Sequence, residues 1–398
     1  MKVLVWNIKF FSSSRIVGQT ATAYAEAENL SRTKNDAARA LATLSYIVST
    51  VRRTAADVFV VVEPRASAGE PGTLADSSSG GPAGLILLLA HLRSMLGNTW
   101  YLVPPQRINS TQIDIIDGGS RYTECIGVFW NSKNVTFTGP WINTAAGPAA
   151  AGTAAAYTGA YAQVVPADST WAGTTSFANI TGFPDPTSRR PFLTTFTEVA
   201  APQRTLELYS VHCDTADGAR AADAIRRIGF VDAAKKIILI AGDFNVDVSA
   251  PTGSGYLSMN STFNRGFAKL YPGPIQTFYN RFPQFGPTML RRGPDATPGN
   301  YSKNETLDFA LIHLGAEAGN IDNCLCEAID RVAQTPNRIG RAMSYALSDF
   351  TRGENPIPLD RFRDRFNFGK IGTPASIPSA PAVLADGTSD HLPILLTV

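Results

Sequence analysis

Short apolar runs recur along this chain, and each one meets a polar residue at its end. Residues 3–6 (Val-Leu-Val-Trp) run into Asn7, 58–62 into Glu63, 206–211 into His212, and 237–241 into Gly242-Asp243. Residues 309–312 follow Asp308, and 392–398 follow Asp390-His391. Unbroken runs rich in Val, Ile and Leu predict strands covered on both faces. Between them, apolar residues fall at helical spacing. Ala38, Leu41, Leu44, Ile47, Val48 and Val51 form a stripe over 35–51, and 85–96 is a second helical stretch. Ala222, Ile225, Ile228 and Val231 predict a third helix over 218–234, and a fourth is expected near 338–350. Residues 66–84, rich in Gly, Ser and Pro, read as a loop, as does 283–306. Strands alternating with helices predict an α/β protein. No internal repeat interrupts that picture.

Composition narrows the class. Apolar residues make up 44% of 398, enough for a sizeable core, and charged residues only 17%, which excludes a disordered chain. The net charge of +2 does not by itself announce a polyanion partner. No run of about 18 apolar residues exists, so a membrane span is excluded. Trp6-Asn7 and Lys9 interrupt the N-terminal apolar run, so no secretory signal is expected and a cytoplasmic location follows. Cys125, Cys213, Cys324 and Cys326 make no CxxC pair, so neither a thiolate zinc site nor a disulfide scaffold is expected. No Gly-x-Ser-x-Gly elbow points to a serine hydrolase. The sequence shows no evident protein partner.

The chemistry lies where the strands end. Ile238-Leu239-Ile240-Ala241-Gly242-Asp243-Phe244-Asn245 carries a strand into a glycine turn. In an extended segment, Asp243 and Asn245 would share one face and could orient a water or a phosphoryl oxygen; equally, the pair could serve an Asx turn. Asp390-His391 could serve a metal and a phosphate together, or cap a loop. His212 could be a general acid because imidazole titrates near neutrality; a structural role is the alternative. Glu63 closes an apolar run, which is costly unless the carboxylate is paired or metal-bound. Asn7 and Asp308 are weak signals alone.

In chain order, Asn7, Glu63, His212, Asp243-x-Asn245, Asp308 and Asp390-His391 resemble the endonuclease/exonuclease/phosphatase superfamily. Its members include deoxyribonuclease I-like nucleases, abasic-site endonucleases, deadenylases, neutral sphingomyelinases and inositol-polyphosphate 5-phosphatases. The resemblance implies a four-layer α/β sandwich, with two central mixed β-sheets flanked by helices and the site at one edge. A single domain would span 1–398, with insertions near 134–184 and 315–388. It implies that Glu63, Asn7 and Asp390 hold Mg²⁺, with Mn²⁺ or Ca²⁺ as alternatives. Asp243 would position or deprotonate the attacking water and Asn245 would orient the phosphate. His391 would contact the phosphoryl group with its tautomer set by Asp308, and His212 would protonate the leaving oxygen. Hard Mg²⁺ takes such oxygen donors, and phosphodiester hydrolysis needs charge neutralisation and an in-line water.

Arg189-Arg190-Pro191 resembles a segment of the nuclease branch in which an arginine meets a substrate phosphate, and Arg190 is the expected residue; a solvated arginine pair is the alternative. The Trp-Cys-Asp-Arg signature of the 5-phosphatases is absent; here the stretch reads Thr306-Leu307-Asp308-Phe309-Ala310. Residues 331–370 hold eight Lys/Arg against four Asp/Glu, with Tyr345, Phe350, Phe362, Phe366 and Phe368 interleaved. Such a segment could attract a polyanion and stack bases, or form a solvated loop packed on the body. The leading expectation is a Mg²⁺-dependent nuclease with nucleic acid as substrate. A phospholipid or small-molecule phosphodiesterase or phosphatase of the same fold, and a catalytically silent binding module, are the alternatives. A Val at position 62, before Glu63, departs from the polar residue common in the family.

Overall fold

The computed structural model describes residues 1–17, 43–44, 47–48, 50–109, 123–139, 143–144, 147–148, 159–166, 189–213, 228, 231–248, 267–270, 290–292, 301–303, 306–329 and 391–398. Their strands are β1 (Lys2–Phe11), β2 (Val58–Ala66), β3 (Trp100–Val103), β4 (Thr123–Glu124), β5 (Gly127–Asn131), β6 (Val135–Gly139), β7 (Asn143–Thr144), β8 (Gly147–Pro148) and β9 (Phe192–Glu198). There follow β10 (Thr205–His212), β11 (Lys236–Asp243), β12 (Ala268–Leu270), β13 (Leu290–Arg292), β14 (Tyr301–Lys303), β15 (Asp308–Leu314), β16 (Leu325–Ala328) and β17 (Ile394–Thr397). Five of the apolar runs read from the sequence lie within β1, β2, β10, β11 and β15, and the last, 392–398, forms β17 only over Ile394–Thr397.

Two mixed sheets result. The first runs β16-β17-β1-β2-β5-β3 with β4 added on β2, and the second runs β12-β15-β11-β10-β9-β6. Each has one parallel pair at its middle, β1 with β2 and β10 with β11, and antiparallel neighbours elsewhere. The sheets pack face to face. Leu206, Leu208, Ile237, Leu239, Ala241, Ala310 and Ile312 from the second sheet share one core with Val3, Val5, Val58 and Val60 from the first. Trp130 of the first sheet stacks obliquely against Phe137 and Phe196 of the second, with ring centroids 5.3 and 6.4 Å away. Burying each large aliphatic side chain stabilises by about 1.5–3 kcal/mol. Alternation sends Tyr209, Val211, Ile238, Ile240, Phe309 and Leu311 to the outer face of the second sheet, where they form a separate cluster.

Helices cover the first sheet. The predicted stripe is helical at 43–44, 47–48 and 50–54, with Leu44, Ile47, Val48 and Val51 buried. The helix Gly80–Leu96 begins five residues earlier than the apolar pattern announced, taking in the end of the expected loop. A Cβ on Gly81 would lie 2.6 Å from Pro64 Cβ and 2.7 Å from Arg65 N. Glycine here lets the helix start rest directly on the end of β2, and Pro82 sits in the first turn, where a missing N–H costs little. The helix expected over 218–234 lies mostly outside the described residues. Its last four positions, 231–234, are not helical, and Val231 is 75% exposed. The chain there is already turning into β11, with Lys236 N–H donating to Ala233 O. The helix expected near 338–350 and the basic stretch 331–370 lie outside the described residues. Among the described residues no helix is long and apolar enough to cross a membrane, and none of the four cysteines is in a disulfide.

Candidate active site

Both parallel pairs end at the same edge of the sandwich, and the C-terminal ends of parallel strands are where α/β sheets bind ligands. In the first sheet Asn7 pairs with Val62, one residue before Glu63. In the second, His212 pairs with Asp243, and Asp243 pairs with Asp308 across the antiparallel neighbour. His212, Asp243 and Asp308 continue the inward-facing rows Leu206-Leu208-Ser210, Ile237-Leu239-Ala241 and Ala310-Ile312. The period-2 pattern that fills the core therefore delivers three polar side chains into the rim.

Asp243 lies at the centre. Its Oδ2 accepts from Asn7 Nδ2 at 2.8 Å, and this bond joins the two sheets. The same oxygen is 3.7 Å from His212 Nε2 and 3.6 Å from His391 Nε2. Each imidazole is backed by a carboxylate on its other nitrogen. His391 Nδ1 meets Asp308 Oδ2 at 2.8 Å, and His212 Nδ1 meets Glu124 Oε2 at 2.6 Å. Such backing fixes the tautomer and ring orientation. Glu124 is wholly buried, and its second oxygen receives Arg189 Nη2 at 2.9 Å. The other Arg189 terminal nitrogen reaches Cys213 O at 3.5 Å.

The charges are interdependent. Burial alone pushes the Glu124 carboxyl up, but Arg189 and His212 outweigh it and bring the value down to about 2. Burial pulls His212 down; Glu124 outweighs that and, with Asp243, leaves the imidazole above its ordinary value, Arg189 opposing. Glu63 is held above the usual carboxylate range, chiefly by burial, with Glu124 adding to the effect and His212, His391 and Arg189 opposing it. Glu63 thus faces the same group from the first sheet. Its Oε1 accepts from Phe10 N–H at 3.3 Å.

Backbone strain gathers here. Phe10, Glu63 and Asn245 have φ of 52°, 69° and 50°, a region that side-chain-bearing residues seldom adopt. At Glu63 it breaks the strand alternation that would otherwise carry the carboxylate away from Asn7. Gly242 has φ of 148°, and a Cβ there would lie 2.1 Å from Val211 O, so only glycine lets β11 close on β10 next to His212 and Asp243. Asn245 departs from the extended reading. Its N–H donates to Asp243 Oδ1 at 2.8 Å and its Nδ2 to Cys213 O at 2.7 Å. It forms the Asx-type turn weighed as the alternative, and it fixes the residue after His212.

The residues fit a hard cation. Glu63 is a buried carboxylate beside a second carboxylate, an arrangement a divalent ion relieves. Asp243, Asp308 and His391 also bring one ligand atom each within 4.8 Å of one another. Within that trio Asp308 Oδ2 meets His391 Nδ1 at 2.8 Å, Asn7 Nδ2 donates to Asp243 Oδ2 at 2.8 Å, and Asp243 lies 3.6 Å from His391 Nε2, so the same atoms could serve as an acid–base unit, while Glu63 offers a further carboxylate for a cation.

The sequence profile of the Endonuclease/Exonuclease/phosphatase family matches residues 4–391. The chain belongs to this family. Family members are hydrolases of phosphoester bonds and are in general metal-dependent. Solved structures with a similar outline include an endonuclease/exonuclease/phosphatase family protein from Leptotrichia buccalis (12% identity, TM-score 0.43, covering 100% of this chain and 99% of that one). Another is a mannosyl-6-phosphatase from Bacteroides thetaiotaomicron (8%, TM-score 0.41, 100% and 98%). A third is TDP2 from D. rerio complexed with a single-strand DNA product (9%, TM-score 0.42, 100% and 97%). No curated protein sequence is similar enough to match.

Of the residues expected to serve a family site, the structure brings together Asn7, Glu63, His212, Asp243, Asn245, Asp308 and His391. Asp390 lies outside the described residues. Arg190 is half-buried with Glu70 as its charged neighbour, and the contact with the cluster belongs to Arg189 instead. Glu124 was missed. The signal for it was a carboxylate abutting the apolar run Cys125-Ile126-Gly127-Val128-Phe129-Trp130, the same signal that singled out Glu63.

Proposed function

We propose that this chain is a Mg²⁺-dependent phosphodiesterase that cleaves nucleic acid by attack of water on the phosphorus. One observation carries the reading: the Asp243 carboxylate stands between two imidazoles, 3.7 and 3.6 Å from their Nε2 atoms, each imidazole backed by its own carboxylate. Hydrolysis of a phosphodiester needs a group to orient and deprotonate water on one side and a group to protonate the leaving oxygen on the other. Asp243 orients the water and takes its proton. His212, whose imidazole Glu124 holds above its ordinary value against the pull of burial, gives a proton to the leaving oxygen. His391, oriented by Asp308, donates a hydrogen bond to a phosphoryl oxygen. Asn245 has a second amide hydrogen for the phosphate, and Arg190 is the candidate cation for a neighbouring phosphate. Glu63 and Asn7, together with Asp390, would hold Mg²⁺, which when bound would neutralise charge on the phosphoryl oxygens.

The test is a panel of supercoiled plasmid, single-stranded RNA, sphingomyelin and inositol phosphates, each with and without EDTA. The expected result is nicking of plasmid or cleavage of RNA that EDTA abolishes and His212→Ala removes. Phosphocholine or inorganic phosphate release without nucleic-acid cleavage would assign a lipid or small-molecule substrate. No hydrolysis of any member would refute the enzymatic reading.

A further inference from the structure

His391 closes a long segment of chain, and something must hold it at the rim. The β1–β17 ladder does not reach it: the last pair is Val5 with Ile394, three residues beyond His391. Pro393, between them, has no N–H to extend the ladder. His391 itself sits in a β-bridge, and its carbonyl also receives a side chain. Trp6 Nε1 donates to His391 O at 2.9 Å, in a buried bond between residues 385 apart. Trp6 is 1% exposed and immediately precedes Asn7, whose amide holds Asp243. Two adjacent residues of β1 thus reach in opposite directions, one to the backbone of His391 and the other to the carboxylate 3.6 Å from its Nε2.

We propose that Trp6 is a positioning residue for His391, its indole N–H setting the backbone from which the imidazole reaches both Asp308 and Asp243. The inference rests on the phosphodiesterase reading and adds to it a residue that never touches substrate. A buried indole N–H needs an acceptor somewhere; what singles out this one is that the acceptor is the peptide of an acid–base residue. A small rotation there would swing the imidazole off a 2.8 Å bond to Asp308, and misplacement on that scale slows chemistry without weakening substrate binding.

A double-mutant cycle on the full chain with Mg²⁺, using bis(p-nitrophenyl) phosphate and supercoiled plasmid, tests it. In Trp6→Phe, which keeps an aromatic ring and removes the donor, kcat is expected to fall about five- to tenfold with KM within about twofold. In a His391→Ala background the same change is expected to alter the residual rate by less than about twofold, because the residue it acts through is gone. An equal fall in both backgrounds, or none in either, would overturn the proposal. Should Trp6→Phe unfold, 3-benzothienylalanine at position 6 keeps the bicyclic shape without the N–H and reads out the same cycle. A wild-type chain inactive on both substrates would overturn the functional reading and this one with it. An active wild type with independent effects would sink only the role of Trp6.

Discussion

Replacing Glu124 with Gln would separate folding from chemistry at the buried Arg189–Glu124–His212 chain. Glu124 is completely buried, and the Arg189 side chain is only 5% exposed. At 2.9 Å to Arg189 and 2.6 Å to a protonated His212, each attraction is about 6 kcal/mol at an effective dielectric of about 20. Desolvation of each ion, at several kcal/mol, cancels much of that. What survives is the asymmetry: Glu124→Gln leaves a buried guanidinium uncompensated, which should destabilise the fold by about 3–5 kcal/mol. The paired change Arg189→Met with Glu124→Gln removes both charges and should restore most of that stability. It should not restore turnover, because His212 Nδ1 has still lost its carboxylate. Urea unfolding and plasmid nicking, run on wild type and the two variants, make the comparison. The folded value of about 2 lies below the ordinary 4.5 of a glutamate, so the carboxylate stabilises the fold fully above about pH 4.5 and loses that contribution as pH falls toward 2. The stability gap between wild type and Glu124→Gln should narrow over that window. A double variant that nicks plasmid at the wild-type rate would refute the role assigned to Glu124, and a gap unchanged down to about pH 2 would refute its charge state.

Three further outcomes are expected. His212→Ala should slow cleavage of alkyl diesters about 10²- to 10⁴-fold, yet spare bis(p-nitrophenyl) phosphate, whose leaving group departs without a proton; equal losses would remove His212 from the acid role. Glu63 is held above its ordinary 4.5, so its proton binds the folded chain more tightly than the unfolded one, and the residue costs stability once pH rises through the folded value. Mg²⁺ replaces that proton, so the gain in Tm on adding millimolar Mg²⁺ should grow as pH rises above the ordinary 4.5 and vanish in Glu63→Gln; a gain that is flat with pH, or kept in the variant, would place the ion elsewhere. Gly242→Ala, with its Cβ 2.1 Å from Val211 O, should destabilise by more than about 3 kcal/mol, read by thermal unfolding; a Tm within a degree of wild type would contradict the close packing of β10 on β11.

The strands were legible because the central ones are buried on both faces. An apolar run ended by Asn7, Glu63 or His212 has one cheap physical explanation, a strand that stops at a wet rim, and the rim is where all three lie. Other parts left weaker traces. β4 is two residues long, too short for any periodicity, yet it carries Glu124. The helix start at Gly80 looked like loop because glycine and proline are usually breakers; here close contact with Pro64 and Arg65 decides the matter. The apolar spacing through Val231 read as helix, but the turn into β11 claims that end of the segment. At the Gly80 helix start a tertiary contact outweighed a local preference.

Seven of the residues singled out in the sequence converge at one rim, but their wiring was not legible there. Sequence order alone could pair Asp308 with His391 only through a resemblance, and it offered no partner for His212. The geometry shows why the partner was hidden. Glu124 and Arg189 are 65 residues apart, and Glu124 and His212 are 88 apart, so nothing local marks the three as one chain of charges. The arginine pair at 189–190 was visible, and its expected use was a substrate phosphate. One member instead lies against a buried carboxylate, where it holds Glu124 ionised beside His212 while its own charge opposes that of the imidazole. A charged side chain next to a strand start therefore has two competing destinations, the ligand or the scaffold beneath the ligand. Burial decides between them: Arg189, at 7% exposed, is committed to the scaffold, and the half-buried Arg190 keeps Glu70 as its charged neighbour.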